Sequence, residues 1–327
     1  MSHPADRPEA PTIKASPRKP ALDWRSLMQR YGVFLGLLVM SAILSFLSNV
    51  FLTPSNLINV LRQVSVNAII AAGMTFVILT GGIDLSVGSL LALAGVLSAG
   101  LQSHGFMVAV FVPLLAVAVL GVLTGAVITR GQIAPFVVTL GMMTVARGLT
   151  LVYTGGMPIS PVGPVFRALG DGYLWVIPVP IIIMLAVYVI AGLVLRGTAF
   201  GRHVYAIGGS EQVARLSGIN TKRVKTAVYA ISGVAAALAG LILAARLNSG
   251  DPTAGTGYEL DAIAAVVIGG TSLSGGEGGV GGTLVGALII GVLNNGLNLL
   301  NVPSFYQQIV KGLIIVGAVL FDRRKRR

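Results

Sequence analysis

The chain has 327 residues, of which 54% are hydrophobic and 10% are charged, and it carries a formal net charge of +12 at pH 7. Soluble globular domains have about 25% charged residues, so this composition excludes that class and indicates a polytopic membrane protein. The chain contains no cysteine, which excludes disulfides, thiolate metal sites and cysteine nucleophiles.

Residues 1–30 precede the first apolar run. Five of the first twenty residues are proline. The segment also lacks the order of a cleavable secretory signal, because the apolar run that follows it begins too late and is too long. We therefore predict that residues 1–30 form a disordered cytoplasmic tail.

Ten apolar runs follow, each long enough to cross or nearly cross a hydrocarbon core, which takes about 20 helical residues. Backbone groups in lipid must be satisfied within the segment, so these runs should be helices rather than strands. The predicted fold class is all-α, a bundle of about ten transmembrane helices, some of them short or broken, with an additional surface helix. The eighth span is short and could be re-entrant. The predicted spans are 31–49, 57–80, 83–103, 106–129, 133–154, 174–195, 226–248, 261–274, 282–300 and 305–321.

The positive charges predict the orientation of these spans. Of the 23 lysines and arginines, six lie in residues 1–30, six in 196–225 and five in 323–327. Because cytoplasmic loops are enriched in basic residues, we place both termini and the central loop in the cytoplasm, with six spans before that loop and four after it. The same clustering accounts for the net charge without a nucleic-acid partner.

A glycine-rich stretch between two apolar runs, Thr80–Gly88, contains Asp84 and Ser86. A charge in an apolar span is costly unless it faces a cavity or a partner, and such broken helices line the pathways of many transporters. Asp84 and Ser86 are therefore candidate path residues. The alternative is a tight cytoplasmic turn in which Ser86 caps the next helix.

The central loop, 196–225, is polar and predicts a short capped helix. Ser210 is placed to accept from the first free backbone amides, Glu211 adds negative charge at the helix N-terminus, and Gly218 can take the left-handed conformation that ends the helix. We expect the apolar side of this helix to contact another protein, because it is too small to anchor a domain. That side consists of Val213, Ala214 and Leu216.

A second glycine-rich stretch, Gly275–Gly282, contains Glu277. A shift of the sequence by 193 residues superposes Asp84 on Glu277. This match suggests an internal repeat in which each half of the chain supplies one break with an acidic residue. Glu277 is therefore also a candidate path residue. The alternative is again a tight turn, with Thr283 capping the next helix.

Amide side chains follow in the span after this break, at Asn294, Asn295 and Asn298. Amides donate and accept hydrogen bonds without imposing charge, so they suit a path for a neutral, hydroxyl-rich solute. The alternative is that they form hydrogen bonds between helices. In the same span, Gly286 and Gly291 are expected to allow close helix packing.

No nucleotide-binding or metal-binding motif accompanies these features. The sequence lacks the phosphate-binding pattern G-x-x-x-x-G-K-[ST], and its three histidines are too scattered to suggest a metal site. We therefore expect no cofactor in this chain. Transport driven by ATP would need a partner subunit that binds ATP and magnesium.

Four ordered stretches resemble the permease subunit of ribose-type ABC sugar importers. They are GMTFVILTGGIDLSVGS (73–89), GRHVYAIGGSEQVARLSGI (201–219), GYELDAIAAVVIGGTSLSGG (257–276) and GTLVGALIIGVLNNGLNLL (282–300). The resemblance covers about residues 30–321. It implies a multi-pass permease of a prokaryotic inner membrane with no ATPase activity of its own. The implied partners are a second, identical permease subunit, a cytoplasmic ATPase and a periplasmic sugar-binding protein, and the implied cargo is a neutral monosaccharide.

The resemblance also implies a domain organisation. The permease domain is expected at 31–321, the cytoplasmic coupling loop at 196–225 and a basic cytoplasmic tail at 322–327. The expected ATPase-coupling residues are Ser210, Glu211, Ala214, Arg215, Leu216 and Gly218. The residues themselves leave two other functions open. One is a stand-alone ion-coupled carrier, in which Asp84 and Glu277 titrate, and the other is a channel.

Overall fold

The computed structural model describes residues 24–325. Most of the predicted N-terminal tail, and the last two residues of the predicted basic tail, lie outside the described residues. The chain divides into two units after Gly32, and the description that follows concerns the second unit, which begins at Val33.

Helices account for almost all the regular structure. The bounds are α1 Trp24–Leu47, α2 Pro54–Leu79, α3 Val87–Gly100, α4 Phe106–Gly131, α5 Pro135–Thr154, α6 Pro164–Asp171, α7 Val179–Gly197, α8 Ala199–Gly209, α9 Glu211–Leu216, α10 Thr221–Leu247, α11 Tyr258–Ile268, α12 Val280–Leu299 and α13 Ser304–Lys325. A 3-10 turn at Gln102–His104 precedes α4, and a two-stranded hairpin, β1 Tyr173–Leu174 with β2 Ile177–Pro178, precedes α7.

Six of the helices in the described part of the chain are long and apolar enough to cross a membrane: α2, α4, α5, α7, α10 and α12. This confirms the predicted all-α membrane fold. Two predicted spans need correction. In place of the span 83–103 the structure has the 14-residue α3, and in place of 261–274 it has the 11-residue α11. At 1.5 Å per residue these helices are about 21 and 17 Å long, well short of a hydrocarbon core of about 30 Å.

The centre of the bundle is formed by α2 and α10, which are the most buried of the long helices. Helix α10 packs against α3 and α4, whereas α2 packs against α11 and α12. The chain thus has two comparable halves, α2–α5 and α10–α13. The first helix of each half packs against the second and third helices of the other half. This packing relates α3 to α11. It does not support the predicted shift of 193 residues, which would place α3 on α12.

Glycines let the helices around α12 approach closely. A Cβ atom added to Gly286 would lie 2.0 Å from the carbonyl oxygen of Ala265 on α11, and one added to Gly291 would lie 2.0 Å from a methyl group of Val64 on α2. Real Cβ atoms cannot come so near, so both positions require glycine. The close packing expected at Gly286 and Gly291 is confirmed.

The connections lie at two ends of the bundle, which we call the α9 end and the opposite end. At the α9 end the backbone N–H of Gly276 donates to the carbonyl of Leu79 at 3.0 Å. At the opposite end an isolated bridge joins Ile159 to Gly250. The connections at the α9 end are 80–86, 132–134, 198–220 and 269–279, and those at the opposite end are 48–53, 101–105, 155–178, 248–257 and 300–303.

Candidate functional site

The short helix α9 is capped as the sequence predicts. The hydroxyl of Ser210 accepts from the backbone N–H of Val213 at 3.3 Å, and Gly218 has a φ of 84° in the left-handed region. Glu211 forms ion pairs with Arg215 at 3.4 Å and with Lys225 at 3.0 Å. The second pair joins α9 to the start of α10, so α9 is held in one position on the bundle.

The outer surface of α9 is apolar but smaller than predicted. Val213 and Leu216 are 61% and 82% exposed, whereas Ala214 is only 3% exposed and packs into the hydrophobic core. Ala214 therefore does not lie on the exposed surface as the sequence led us to expect. The residues available to a partner are Val213 and Leu216, with the exposed Arg215 between them.

A second surface helix, α8, was missed by the sequence reasoning. The hydroxyl of Thr198 caps it by accepting from the backbone N–H of Gly201 at 3.1 Å. Near its end, Gly208 lies so close to the bundle that an added Cβ would be 1.9 Å from the carbonyl oxygen of Leu79 and 2.3 Å from the amide nitrogen of Gly276. The capping threonine before an amphipathic stretch was the signal that could have revealed this helix.

The first break, Thr80–Ser86, is tied to α10 by Asp84. This carboxylate is 2% exposed. One oxygen accepts from the Ser86 backbone N–H at 3.0 Å and from the Ser86 hydroxyl at 2.5 Å, and the other accepts from the Ser232 hydroxyl on α10 at 2.8 Å. The Ser86 side chain therefore bonds to Asp84 and does not cap α3, the alternative considered from the sequence.

The second break, Gly269–Gly279, differs from the first in its burial. Glu277 is exposed at the α9 end. The hydroxyl of Tyr205 on α8 donates to the carbonyl of Gly278 at 2.9 Å. The hydroxyl of Thr283 is buried and shares a hydrogen bond of 2.9 Å with Thr75 on α2, so its main role is to join α12 to α2.

The three asparagines of α12 have three different environments. Asn295 exchanges two hydrogen bonds with Asn56 on α2, at 3.0 and 2.9 Å. Asn298 accepts from the side-chain amide of Gln307 on α13 at 2.8 Å. The Oδ1 atom of Asn294 is buried and has no hydrogen-bond partner among the residues that the structure describes. Interhelical bonding, the alternative considered from the sequence, therefore describes Asn295 and Asn298.

Asn294 faces a polar cavity of about 130 Å³ between α2, α11, α12 and α13. Asp261 and Lys311 lie on its wall and form an ion pair of 2.9 Å. Asp261 is 6% exposed. It lies in the first turn of α11, next to the loop that precedes this helix. A lysine alone in the last apolar run was the signal that could have revealed the pair.

The structure thus places the predicted path residues in different parts of the protein. Asn294 and Asn298 both line the cavity between α2 and α13. Asp84 and Ser86 lie in a packed turn, Glu277 lies on the surface of the α9 end, and Asn295 lies between α12 and α2. Within the described residues no cluster of three His, Cys, Asp or Glu side chains could hold a metal ion.

Comparison with known proteins gives a consistent assignment. A family model described as the permease component of branched-chain amino acid transport systems matches residues 56–319. The ribose import permease of Bacillus subtilis is 56% identical over 309 residues, which cover 91% of this chain and 94% of that protein. No solved structure matches the chain.

Two further relatives come from Escherichia coli K12. Its ribose import permease is 52% identical, over 89% of this chain and 93% of that protein. Its D-allose transport system permease is 40% identical, over 95% of this chain and 96% of that protein. The chain therefore belongs to this family of transport-system permeases, the membrane components of ABC importers for sugars.

Proposed function

We propose that this chain is the membrane subunit of an ATP-driven importer that carries a ribose-like monosaccharide into the cytoplasm. The observation that carries the proposal is the identity of 52–56% to ribose import permeases over about nine-tenths of the chain. The cavity next to Asn294 is compatible with this cargo. Its wall has one acid and one base, which are paired, so it offers no net charge to an anionic or cationic solute.

The importer requires partners that this chain does not contain. A cytoplasmic ATPase binds ATP and magnesium, a periplasmic binding protein delivers the sugar, and a second copy of this chain completes the path. The protein lies in a prokaryotic inner membrane with both termini and the α9 end in the cytoplasm. This orientation rests on the three clusters of basic residues.

The ATPase docks on α9, where Val213 and Leu216 are exposed. A movement of α9 passes to α8, which directly precedes α9 in the chain, and from α8 to both breaks. The contacts that support this route are Gly208 against Leu79 and Gly276, and the hydrogen bond from Tyr205 to Gly278. The breaks, including Asp84, Ser86 and Glu277, form the inner gate, and Asn294 and Asn298 lie on the path outside it.

Reconstitution tests the proposed function. Vesicles that hold this chain with its ATPase should take up labelled ribose only when ATP is present on the ATPase side and loaded binding protein on the other. Uptake by this chain alone under an imposed proton or sodium gradient would contradict the proposal and would favour an ion-coupled carrier.

Single cysteines test the orientation, since the chain has no native cysteine. Cysteines placed at Gly163 and Thr256 should react with an impermeant thiol reagent added outside intact cells. A cysteine at Gln212 should react only after the membrane is opened. External labelling at Gln212 would overturn both the orientation and the assignment of α9 to the ATPase.

A further inference from the structure

The cavity between α2, α11, α12 and α13 is a polar feature inside an apolar bundle. Its polar residues occur at helical spacing on each wall: Gln63 and Asn67 on α2, Tyr258 and Asp261 on α11, Asn294 and Asn298 on α12, and Gln307 and Lys311 on α13. Residues three or four apart lie on the same face of a helix. Four helices therefore direct polar side chains to one place.

The cavity extends a long way into the bundle from the opposite end. On α12 its wall runs from Asn298, near the end of the helix, to Ala287. Eleven residues of helix span about 16 Å, which is roughly half of a hydrocarbon core. A volume of about 130 Å³ is far more than the 10–15 Å³ that one water molecule needs. The space is suited to a small polar solute with its hydration water.

Two groups on the wall have unused hydrogen-bonding capacity. The Oδ1 atoms of Asn67 and Asn294 are buried and have no partner within the described residues. A buried acceptor without a partner is costly, so such atoms in a cavity indicate that water or a ligand bonds to them. Both are acceptors, and hydroxyl groups are suitable donors to them.

The charges on the wall restrict the class of solute. Asp261 and Lys311 are the two charged residues that line the cavity, and they are paired at 2.9 Å. Because their charges compensate, the cavity does not favour an anion or a cation. A paired carboxylate can still accept from a hydroxyl, and the ammonium group can still donate to one, because each has further hydrogen-bonding positions.

From these observations we infer that the cavity is a binding site for a neutral, hydroxyl-rich solute, reached from the opposite end. Asn67 and Asn294 accept from solute hydroxyls, and the Asp261–Lys311 pair both donates and accepts. This inference deepens the proposed function and rests on it for the identity of the solute as a monosaccharide.

Cysteine reactivity tests whether a sugar occupies the cavity, without any need for transport. The chain with a single cysteine, Gln63→Cys, is placed in lipid nanodiscs, where both ends are accessible, and is treated with a small hydrophilic thiol reagent. Gln63 lines the cavity but is not one of the residues that we expect to bond to the solute. The matched control is Ala71→Cys, two turns further along α2 and fully buried. We expect the cysteine at 63 to react at least about tenfold faster, because a close-packed interior excludes the reagent.

D-ribose should slow the reaction at position 63, whereas ribose 5-phosphate at the same concentration should not. Equal reaction rates at positions 63 and 71, or no protection by ribose at any concentration that leaves the protein intact, would overturn the inference. This assay contains neither ATPase nor binding protein. A failure of ATP-dependent ribose uptake by the unchanged protein would instead count against the proposed function.

The transport rates of variants of Asp261 and Lys311 show whether this ion pair binds solute or only holds two helices together. Asp261→Asn and Lys311→Met each leave one charged partner alone, and both are expected to lose transport. If the pair only tethers α11 to α13, the double variant should recover transport, since both charges are then gone. If the pair binds solute, the double variant should remain impaired by at least about tenfold, because the solute loses its hydrogen bonds to both charged groups.

The thermal stability of each variant, measured in detergent, controls for misfolding. Asn49→Leu, an exposed position in the turn between α1 and α2, controls for the loss of an amide outside the cavity and should transport normally. Recovery of full transport by a stable double variant would contradict a role of the pair in solute binding.

Discussion

The two glycine-rich breaks have similar sequences but different structures. Each places one acid among glycines between two helices. In the first break Asp84 is buried and accepts three hydrogen bonds from Ser86 and Ser232. In the second break Glu277 is exposed at the α9 end. The first break is fixed to α10, and the second lies against the surface helix α8.

This difference shows what decides the role of an acid in a broken helix. Asp84 is buried because α10 passes over the first break and supplies the Ser232 hydroxyl. The second break is covered by α8, whose Tyr205 donates to the backbone carbonyl of Gly278. A movement of the α8–α9 segment should therefore displace the second break more readily than the first.

The largest expected contrast between the two breaks comes from replacing the acid in each of them. Asp84→Ala should lower the free energy of unfolding by on the order of 3 kcal/mol, because three hydrogen bonds worth about 1 kcal/mol each are lost. Glu277→Ala should lower it by less than Asp84→Ala does, because the Glu277 side chain is exposed. Thermal unfolding of the two purified variants measures the contrast. Equal stability of the variants would show that the breaks are equivalent.

A matched pair of glycines on α8 tests its contact with both breaks. Gly208→Ala should destabilise the protein by about 1–3 kcal/mol through overpacking against Leu79 and Gly276. Gly209→Ala should be tolerated, since no atom lies within 4 Å of the added Cβ. Unfolding temperature and ribose uptake should both fall for the first variant alone. Normal uptake by Gly208→Ala would argue against coupling through α8.

A change at the end of α9 should affect coupling more than stability. Gly218→Val forces a β-branched residue to a φ of 84°, which costs about 1–2 kcal/mol locally. Stimulation of the ATPase by loaded binding protein should decrease together with uptake, while membrane insertion is retained. Ser217→Val is the control, since Ser217 is exposed and has a φ of −79°. Normal stimulation in a well-expressed Gly218→Val protein would contradict the docking role of α9.

The smallest expected effect is a pH dependence of the contact between α9 and α10. Partial burial acts to raise the pKa of Glu211, but Lys225, Thr221 and Arg215 outweigh it and hold the pKa below the ordinary value of 4.5. A lowered carboxyl pKa stabilises the folded state above 4.5, and that contribution is lost as the pH falls through the lowered value. The melting-temperature difference between wild type and Glu211→Gln should be constant from neutral pH to about 4.5 and shrink below it. A melting-temperature difference that grows on acidification would contradict a lowered pKa of Glu211.

The sequence predicted the membrane class, most of the spans and the capped helix α9, because each depends on local properties. An apolar run of about 20 residues has few alternatives to a membrane helix. A serine before a short helix and a glycine after it cap that helix through contacts with their nearest neighbours, as Ser210 and Gly218 do. The likeness to ribose permeases was also readable from the motifs that carry these features.

Only the tertiary structure decided which polar residues face the cavity. Asn294 and Asn295 are adjacent in sequence, but successive residues point about 100° apart around a helix, so one faces the cavity and the other meets Asn56. In a soluble helix an apolar stripe would reveal the buried face. In a membrane helix the faces toward lipid and toward protein are both apolar, so the pattern carries no such signal. The pairing of Asp261 with Lys311, fifty residues apart, likewise depends on how α11 packs against α13.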